Sequence, residues 1–252
     1  MGFKTGSGFH LLVLIAYIAI FVYASSRFRR TGEVYVRELE GVKKIEEGIG
    51  RAVEMGRPVH WSYGTGAFDA QHMAAFSLLS YAAKLCAQYD CRMILSIALP
   101  ELVPMTDEII RKAYSEAGKP NQYNPDDIRF LGGSHNAAMI GTIAREKVAA
   151  NFMFGSLFYE SVLGVEAAAM NNAIQVAGTA NTHQLPFIAA GCDSIFIGAE
   201  MFAAATQIEP TPVRVGSTYA EDWITRTMVV LMIIGSLMVT FGSDALIRLM
   251  KL

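Results

Sequence analysis

The chain reads as an α/β protein: a mainly parallel sheet with helices on both faces, Rossmann-like in plan, flanked by two transmembrane helices. Three observations lead there. Through the middle of the chain, short apolar runs bounded by glycine or proline alternate with amphipathic or alanine-rich stretches. That is the pattern of a parallel sheet covered on both faces. Two longer apolar runs stand towards the ends, and 252 residues that are 52% hydrophobic suffice to bury one sizeable core.

The first long run, Phe9 to Ser26 (FHLLVLIAYIAIFVYASS), is apolar apart from His10 and two closing serines. It is about the length that crosses ~30 Å of hydrocarbon. Arg27, Phe28, Arg29 and Arg30 follow where a signal peptide would present small residues for cleavage, so residues 1–30 are expected to remain as an anchor. Residues 31–57 are expected to hold an amphipathic linker helix, because Val36, Leu39, Val42, Ile45, Ile49 and Val53 recur at helical spacing among charged residues. Gly56-Arg57-Pro58 ends it.

Residues 58–213 are expected to form the α/β domain. Val59 to Tyr63 reads as a strand, Ala70 to Tyr89 as a helix, and Arg92 to Leu99 (RMILSIAL) as an apolar strand. Thr106 is expected to cap a helix running to Ala117, with acids in its first turn. Ile128 to Leu131 reads as a brief strand and Asn136 to Val148 as the helix after it. Asn151 to Phe154, Ile174 to Ala177 and Ser194 to Ile197 read as further strands, with helices near Glu160 to Asn172, His183 to Ala190 and Ala199 to Gln207. Glu209-Pro210-Thr211-Pro212 is a stiff connector. Residues 214–252 then carry the second membrane helix, which Thr218 and Glu221 are expected to open as a capping box. Its apolar run, TMVVLMIIGSLMVTFG, lies within Trp223 to Leu246, between Arg226 and Asp244.

Charge narrows the partners. A net charge of -2 offers no basic face, so nucleic acid is not expected among them. Arg27, Arg29, Arg30, Arg37, Lys43, Lys44, Arg214 and Arg226 lie on the side of the central domain, whereas Lys4, Arg248 and Lys251 lie with the tails. The positive-inside rule therefore expects a cell (inner) membrane protein with a cytoplasmic central domain and both termini outside. Cys86, Cys91 and Cys192 make neither a CxxC pair nor a metal-ligand spacing, which suits a reducing compartment and inert thiols.

From Val148 to Val213 there is no lysine or arginine. A solvated half-domain would carry both signs on its outer helix faces. Either a very buried core or association with other copies accounts for this. The second is favoured, because a core explains uncharged strands better than uncharged helices such as VLGVEAAAMNNA. A homo-oligomer is thus expected.

Three stretches carry a resemblance: EEGIGRAVEMGRPVHW, IQVAGTANTHQLPF and CDSIFIGAE. They resemble a family of uncharacterised prokaryotic membrane proteins, a domain of unknown function. The resemblance runs from the linker helix to the second apolar run. It implies a membrane-anchored α/β domain and no activity, so it assigns no functional residues.

Candidate ligand positions come from the turns. Gly64-Thr65-Gly66 follows the first strand and meets the first two positions of a GxGxxG dinucleotide turn, but Asp69 stands in the third glycine's place. An acid there satisfies the free amides of the helix start and repels a phosphate. No GxxxxGK[ST] occurs. Gly132-Gly133-Ser134, Gly155-Ser156, Gly178-Thr179 and Gly198 repeat the small-residue handover at other strand ends, the edge where α/β ligands bind. Asp69, Glu160 and Glu200 follow these turns, either as helix caps or as a converging cluster for a divalent cation. His135 and His183, in turns with small polar neighbours, are the acid/base candidates, with backbone capping as the bland alternative. The ligand-contact set is therefore Gly64, Thr65, Gly66, His135, Gly178, Thr179, His183 and Glu200, with no metal site assigned and the cofactor unknown. Two functions stand open: a self-assembling membrane scaffold, preferred here, and a small-molecule or nucleotide site at the glycine turns.

Overall fold

The computed structural model describes residues 7–32 and 38–241. In chain order the elements are α1 (Ser7–Thr31), α2 (Glu40–Met55), β1 (Val59–Gly64), α3 (Ala70–Gln88), β2 (Met93–Ile97), α4 (Leu102–Glu116), β3 (Ile128–Phe130), α5 (His135–Glu146), β4 (Ala150–Ser156), α6 (Glu160–Ala169), β5 (Ile174–Thr179), α7 (Leu185–Gly191), β6 (Ser194–Ile197), α8 (Glu200–Ile208) and α9 (Pro212–Thr240). Two compact units result: Arg37–Glu209, and Met1–Val36 together with Pro210–Leu252.

The terminal unit packs α1 on α9. Both helices are long and apolar enough to cross a membrane, over Gly8–Thr31 and Pro212–Thr240. Their contact is built from small residues. Ala24 and Ser25 are buried with Val215, Gly216 and Ala220, and a Cβ on Gly216 would stand 2.1 Å from the Ser25 hydroxyl. Close backbone approach at glycine is how helices associate where no hydrophobic driving force acts between them. The expected capping box at Thr218 and Glu221 is corrected here: both lie inside α9, which begins at Pro212 with the Thr211 hydroxyl accepting from the Arg214 amide. Proline fits the first helical position because its missing N–H has no partner there anyway. Val36, Arg37, Lys4, Asp244, Leu246, Arg248 and Lys251 lie outside the described residues.

In the central unit all six strands are parallel, in the order β3-β2-β1-β4-β5-β6. The chain starts in the middle, winds outward one way, then crosses back at β4 and winds the other way. That is the doubly wound order, with its reversal between β1 and β4. Alternation along the strands separates two cores. Trp61, Tyr63, Phe152, Phe154 and Phe196 face α2, α3, α4 and α8, while Met153, Ala177, Met139 and Ile143 belong to clusters on the α5–α7 side. The helix expected to lead from the membrane is α2, and it covers the sheet: Val42, Ile45, Ile49 and Ala52 are buried in the larger core. Gly56 ends it in a left-handed turn, as its sequence suggested. The two ends of the unit meet, since the Leu39 amide donates to the Gln207 side chain at 2.9 Å.

α4 also starts elsewhere than its sequence suggested. It begins at Leu102 rather than at Thr106, with no acid in its first turn. Pro104 sits in that first turn, where it removes only an unpartnered N–H. Thr106 is fully buried inside the helix and donates its hydroxyl to the Tyr63 phenol at 3.1 Å, so it bonds across the core and caps nothing.

One row of the sheet is polar. His60, Asn151 and Gln175 lie in register on β1, β4 and β5, all buried. His60 Nδ1 meets Asn151 Oδ1 at 2.8 Å and Nε2 meets the Ser96 hydroxyl at 2.9 Å, while the Asn151 amide donates to Gln175 Oε1 at 3.3 Å. Burial without a counter-charge lowers the His60 pKa from 6.5 to about 4, holding the ring neutral. A register slip of one residue would strand these groups in the apolar core, so the row fixes strand pairing.

Candidate functional site

In a doubly wound sheet, ligands bind outside the carboxyl ends of the strands, at the reversal of strand order. Here that place lies between the turn after β1 (Gly64-Thr65-Gly66) and the turn after β4 (Ser156-Leu157-Phe158). A dinucleotide needs open backbone and free amides there, to take up its pyrophosphate.

The protein's own groups occupy this corner. The Glu160 carboxylate, 1% exposed, accepts from the Thr65 amide at 3.0 Å, the Thr65 hydroxyl at 2.7 Å and the Phe158 amide at 2.8 Å. The Gly66 amide donates to the Ser156 carbonyl at 3.0 Å. Gly64 holds φ at +85°, and a Cβ on Gly66 would lie 2.2 Å from Ser156 Oγ and 2.6 Å from the Phe158 ring. Glycine is required because the two turns touch each other. Glu160 stands where an anionic ligand would, on donors a phosphate would use.

The neighbouring turns are laced in the same way. Asp69 caps α3, accepting from the Gln71 amide at 2.9 Å, and its own amide donates to His72 Nδ1 at 3.2 Å. Gln71 Nε2 donates to Asp69, while Gln71 Oε1 accepts from the Thr179 hydroxyl and the Ala180 amide. The Asn181 side chain donates to the Leu157 carbonyl at 2.7 Å and its amide to Thr179 Oγ1 at 3.2 Å. Thus the amides of Thr65, Gly66, Phe158, Ala180 and Asn181 are all satisfied internally.

Of the positions singled out by sequence, Gly64, Thr65 and Gly66 meet Glu160 and Ser156, and Thr179, buried, bridges to α3. Gly178 is buried in β5. The buried His135 ring lies across the sheet face from these, 3.5 Å from the Ser62 hydroxyl and 3.4 Å from the Ser96 carbonyl. His183 is exposed and its ring packs at a tilt against Phe158, with centroids 5.4 Å apart. Glu200 opens α8 and accepts from the Ile197 amide at 3.1 Å, a cap for β6's end. The two histidines are not brought to one another by any bond above. Asp69, Glu160 and Glu200 each serve amides, and among the described residues no group of three or more His, Cys, Asp or Glu gathers to hold a metal ion. Glu160's role was visible in sequence only as an acid after a turn.

Away from this corner, a pocket of about 300 Å³ opens beside the start of β2, lined by Cys91, Arg92, Met93, Ile110, Tyr114 and Asp127 among others. Arg92 is held by Asp127 at 2.6 Å and Glu146 at 3.1 Å, and Arg129 joins Glu146 at 2.7 Å. This ion network belongs to the β3 side of the sheet.

The β6 side differs. Val162 on α6, Met170 at its end, Phe187 on α7 and Ile197 on β6 are exposed there, with Met170 at 82%, while Phe158 and Tyr159 are exposed nearer the β1–β4 corner. The outer face of α7 presents Pro186, Phe187, Ala189 and Ala190 to solvent. β6 is a sheet edge reading Ser-Ile-Phe-Ile, apolar along its length, with Glu200 on the Ile197 amide at its end.

Residues 2–250 match a family model described as Domain of unknown function (DUF6754). No curated protein and no solved structure matches the chain.

Proposed function

We propose that this chain, which belongs to the DUF6754 family, is an assembly protein. Its two apolar helices anchor an α/β domain that associates with further copies through the cation-free half, β4 to α8. The observation that carries the reading is the outward face of α6, α7 and β6. It exposes large apolar side chains over a stretch without a single lysine or arginine. Large exposed apolar surface marks an interaction site, and a strand edge pairs with another chain unless something covers it.

A second copy is the partner that fits. The opposite side of the sheet bears Arg92, Arg129, Asp127 and Glu146. Setting the cation-free face against it would desolvate that ion network, whereas like against like leaves the network in water and brings together the exposed Glu166 of each α6. The arginines in the last turns of α1 and in α9 before its apolar run favour a cytoplasmic domain at the inner membrane, with both termini outside. A small molecule at the glycine turns is the competing reading, and it would have to displace Glu160 from three donors. Mass measurement on the full chain in mild detergent tests the proposal: multiples of 27.5 kDa support it, and monomers alone refute it.

A further inference from the structure

The three cysteines are far apart in kind. Cys86 lies in the last turns of α3, fully buried, and Cys91 follows its end, 7% exposed. Between them Asp90 turns left-handed at φ +57°, the Cys91 amide donates to the Cys86 carbonyl at 2.8 Å, and the Asp90 amide points to the Ala87 carbonyl at 3.5 Å. This helix ending, with its six-to-one and five-to-two bonds, brings the first and last side chains of the motif against each other. In most proteins that contact is between two apolar residues. Here both are thiols, and one of them opens on a pocket of about 300 Å³ beside Arg92, Tyr114 and Asp127.

We propose that Cys86 and Cys91 are an oxidisable dithiol, a modification site for small peroxides that enter this pocket. Cys91 is the member that meets the oxidant and Cys86 the one that resolves the product. The pocket divides the roles: Cys91 lines it, whereas Cys86 is fully buried and does not. Cys91 as hydrogen-bond partner, together with burial, holds the Cys86 thiol above its ordinary range. The thiolate is the nucleophile in such chemistry.

The steps balance. The Cys91 thiolate attacks one peroxide oxygen, the O–O bond breaks, hydroxide leaves, and Cys91 carries a sulfenic acid. The Cys86 sulfur then attacks the Cys91 sulfur, the S–O bond breaks, and water leaves with the Cys86 proton. Two thiols have lost two electrons, and the peroxide has gained them. A low-molecular-weight thiol restores the pair by exchange. Such a cycle belongs in a reducing compartment, where intracellular disulfides are transient and act as sensors. Cys192 provides an internal control. Burial pushes its pKa up to about 12, and it sits elsewhere, capping the end of α7 before β6.

The test uses the full chain, folded in mild detergent. It is treated with hydrogen peroxide, denatured in an alkylating agent and cut with trypsin. Cleavage after Lys84 and Arg92 releases a single peptide, Leu85–Arg92, that contains both cysteines. The expected product is that peptide two hydrogens lighter than the dithiol, unalkylated and restored by dithiothreitol, while Cys192 is alkylated as before. Cys86→Ser is expected to stop at a Cys91 sulfenic acid that dimedone traps. The proposal is overturned if Leu85–Arg92 emerges doubly alkylated from peroxide-treated folded protein. It is equally overturned if Cys192 oxidises as fast as Cys91.

Discussion

Glu160→Ala probes the sealed corner most sharply. The wild-type carboxylate is buried and takes three donors, two of them backbone amides in adjoining turns. Removing it orphans the Thr65 and Phe158 amides, each at about 1–3 kcal/mol. The Thr65 hydroxyl can rotate to another acceptor, and relief from holding one buried charge offsets part of the loss. A net destabilisation of about 3 kcal/mol is expected, and about 1–2 kcal/mol for Glu160→Gln, which keeps the shape and one acceptor oxygen. Urea unfolding reads this through Trp61, fully buried on β1, in a Trp223→Phe background. The transition midpoint should fall with its slope unchanged. In the alanine variant, inorganic phosphate at millimolar concentration should recover part of the loss by occupying the vacated donors, and should leave the wild type unmoved. A Glu160→Ala midpoint within about 0.5 kcal/mol of wild type would refute the reasoning, because surface-like behaviour means the carboxylate seals nothing. So would phosphate stabilising the wild type.

Three further outcomes follow from the same geometry. His60 is held neutral when folded, with a pKa of about 4 against 6.5, so the unfolded chain takes the extra proton and stability falls as pH drops from 6.5 to about 4. The loss reaches at most about 3 kcal/mol, and it should shrink in His60→Asn when unfolding is followed across that window. Gly66→Ala forces a Cβ to within 2.2 Å of Ser156 Oγ, which should cost about 1–3 kcal/mol in thermal or urea unfolding. Phe187→Lys places a charge on the proposed interface at a residue 55% exposed, so stability should stay within about 0.5 kcal/mol while light scattering shows the assembly dissociating.

Much of this fold was legible in the chain because alternation is a local signal. Apolar runs such as RMILSIAL can only be strands when turns follow so soon, and the strand positions agree within a residue or two. Helix starts were harder. Thr106 and Thr218 both carry the right chemistry for a cap, yet Pro104 and Pro212 mark earlier beginnings, and only packing decides between adjacent candidates. The site was less legible still. Glu160 and Thr65 are far apart in sequence and become partners only once β4 crosses back beside β1. The same holds for His60, Asn151 and Gln175, whose register no single strand reveals. Cys86 and Cys91 have no recognised spacing, and their contact depends on one left-handed residue, Asp90.

The central claim is that the cation-free half meets its own kind. Mass photometry of the full chain, extracted into native-lipid nanodiscs without detergent exchange, tests it most directly. The account predicts particles holding two or more chains, reduced to single chains by Phe187→Lys. Single chains in the wild type, with the α6–α7–β6 face left bare, would contradict it.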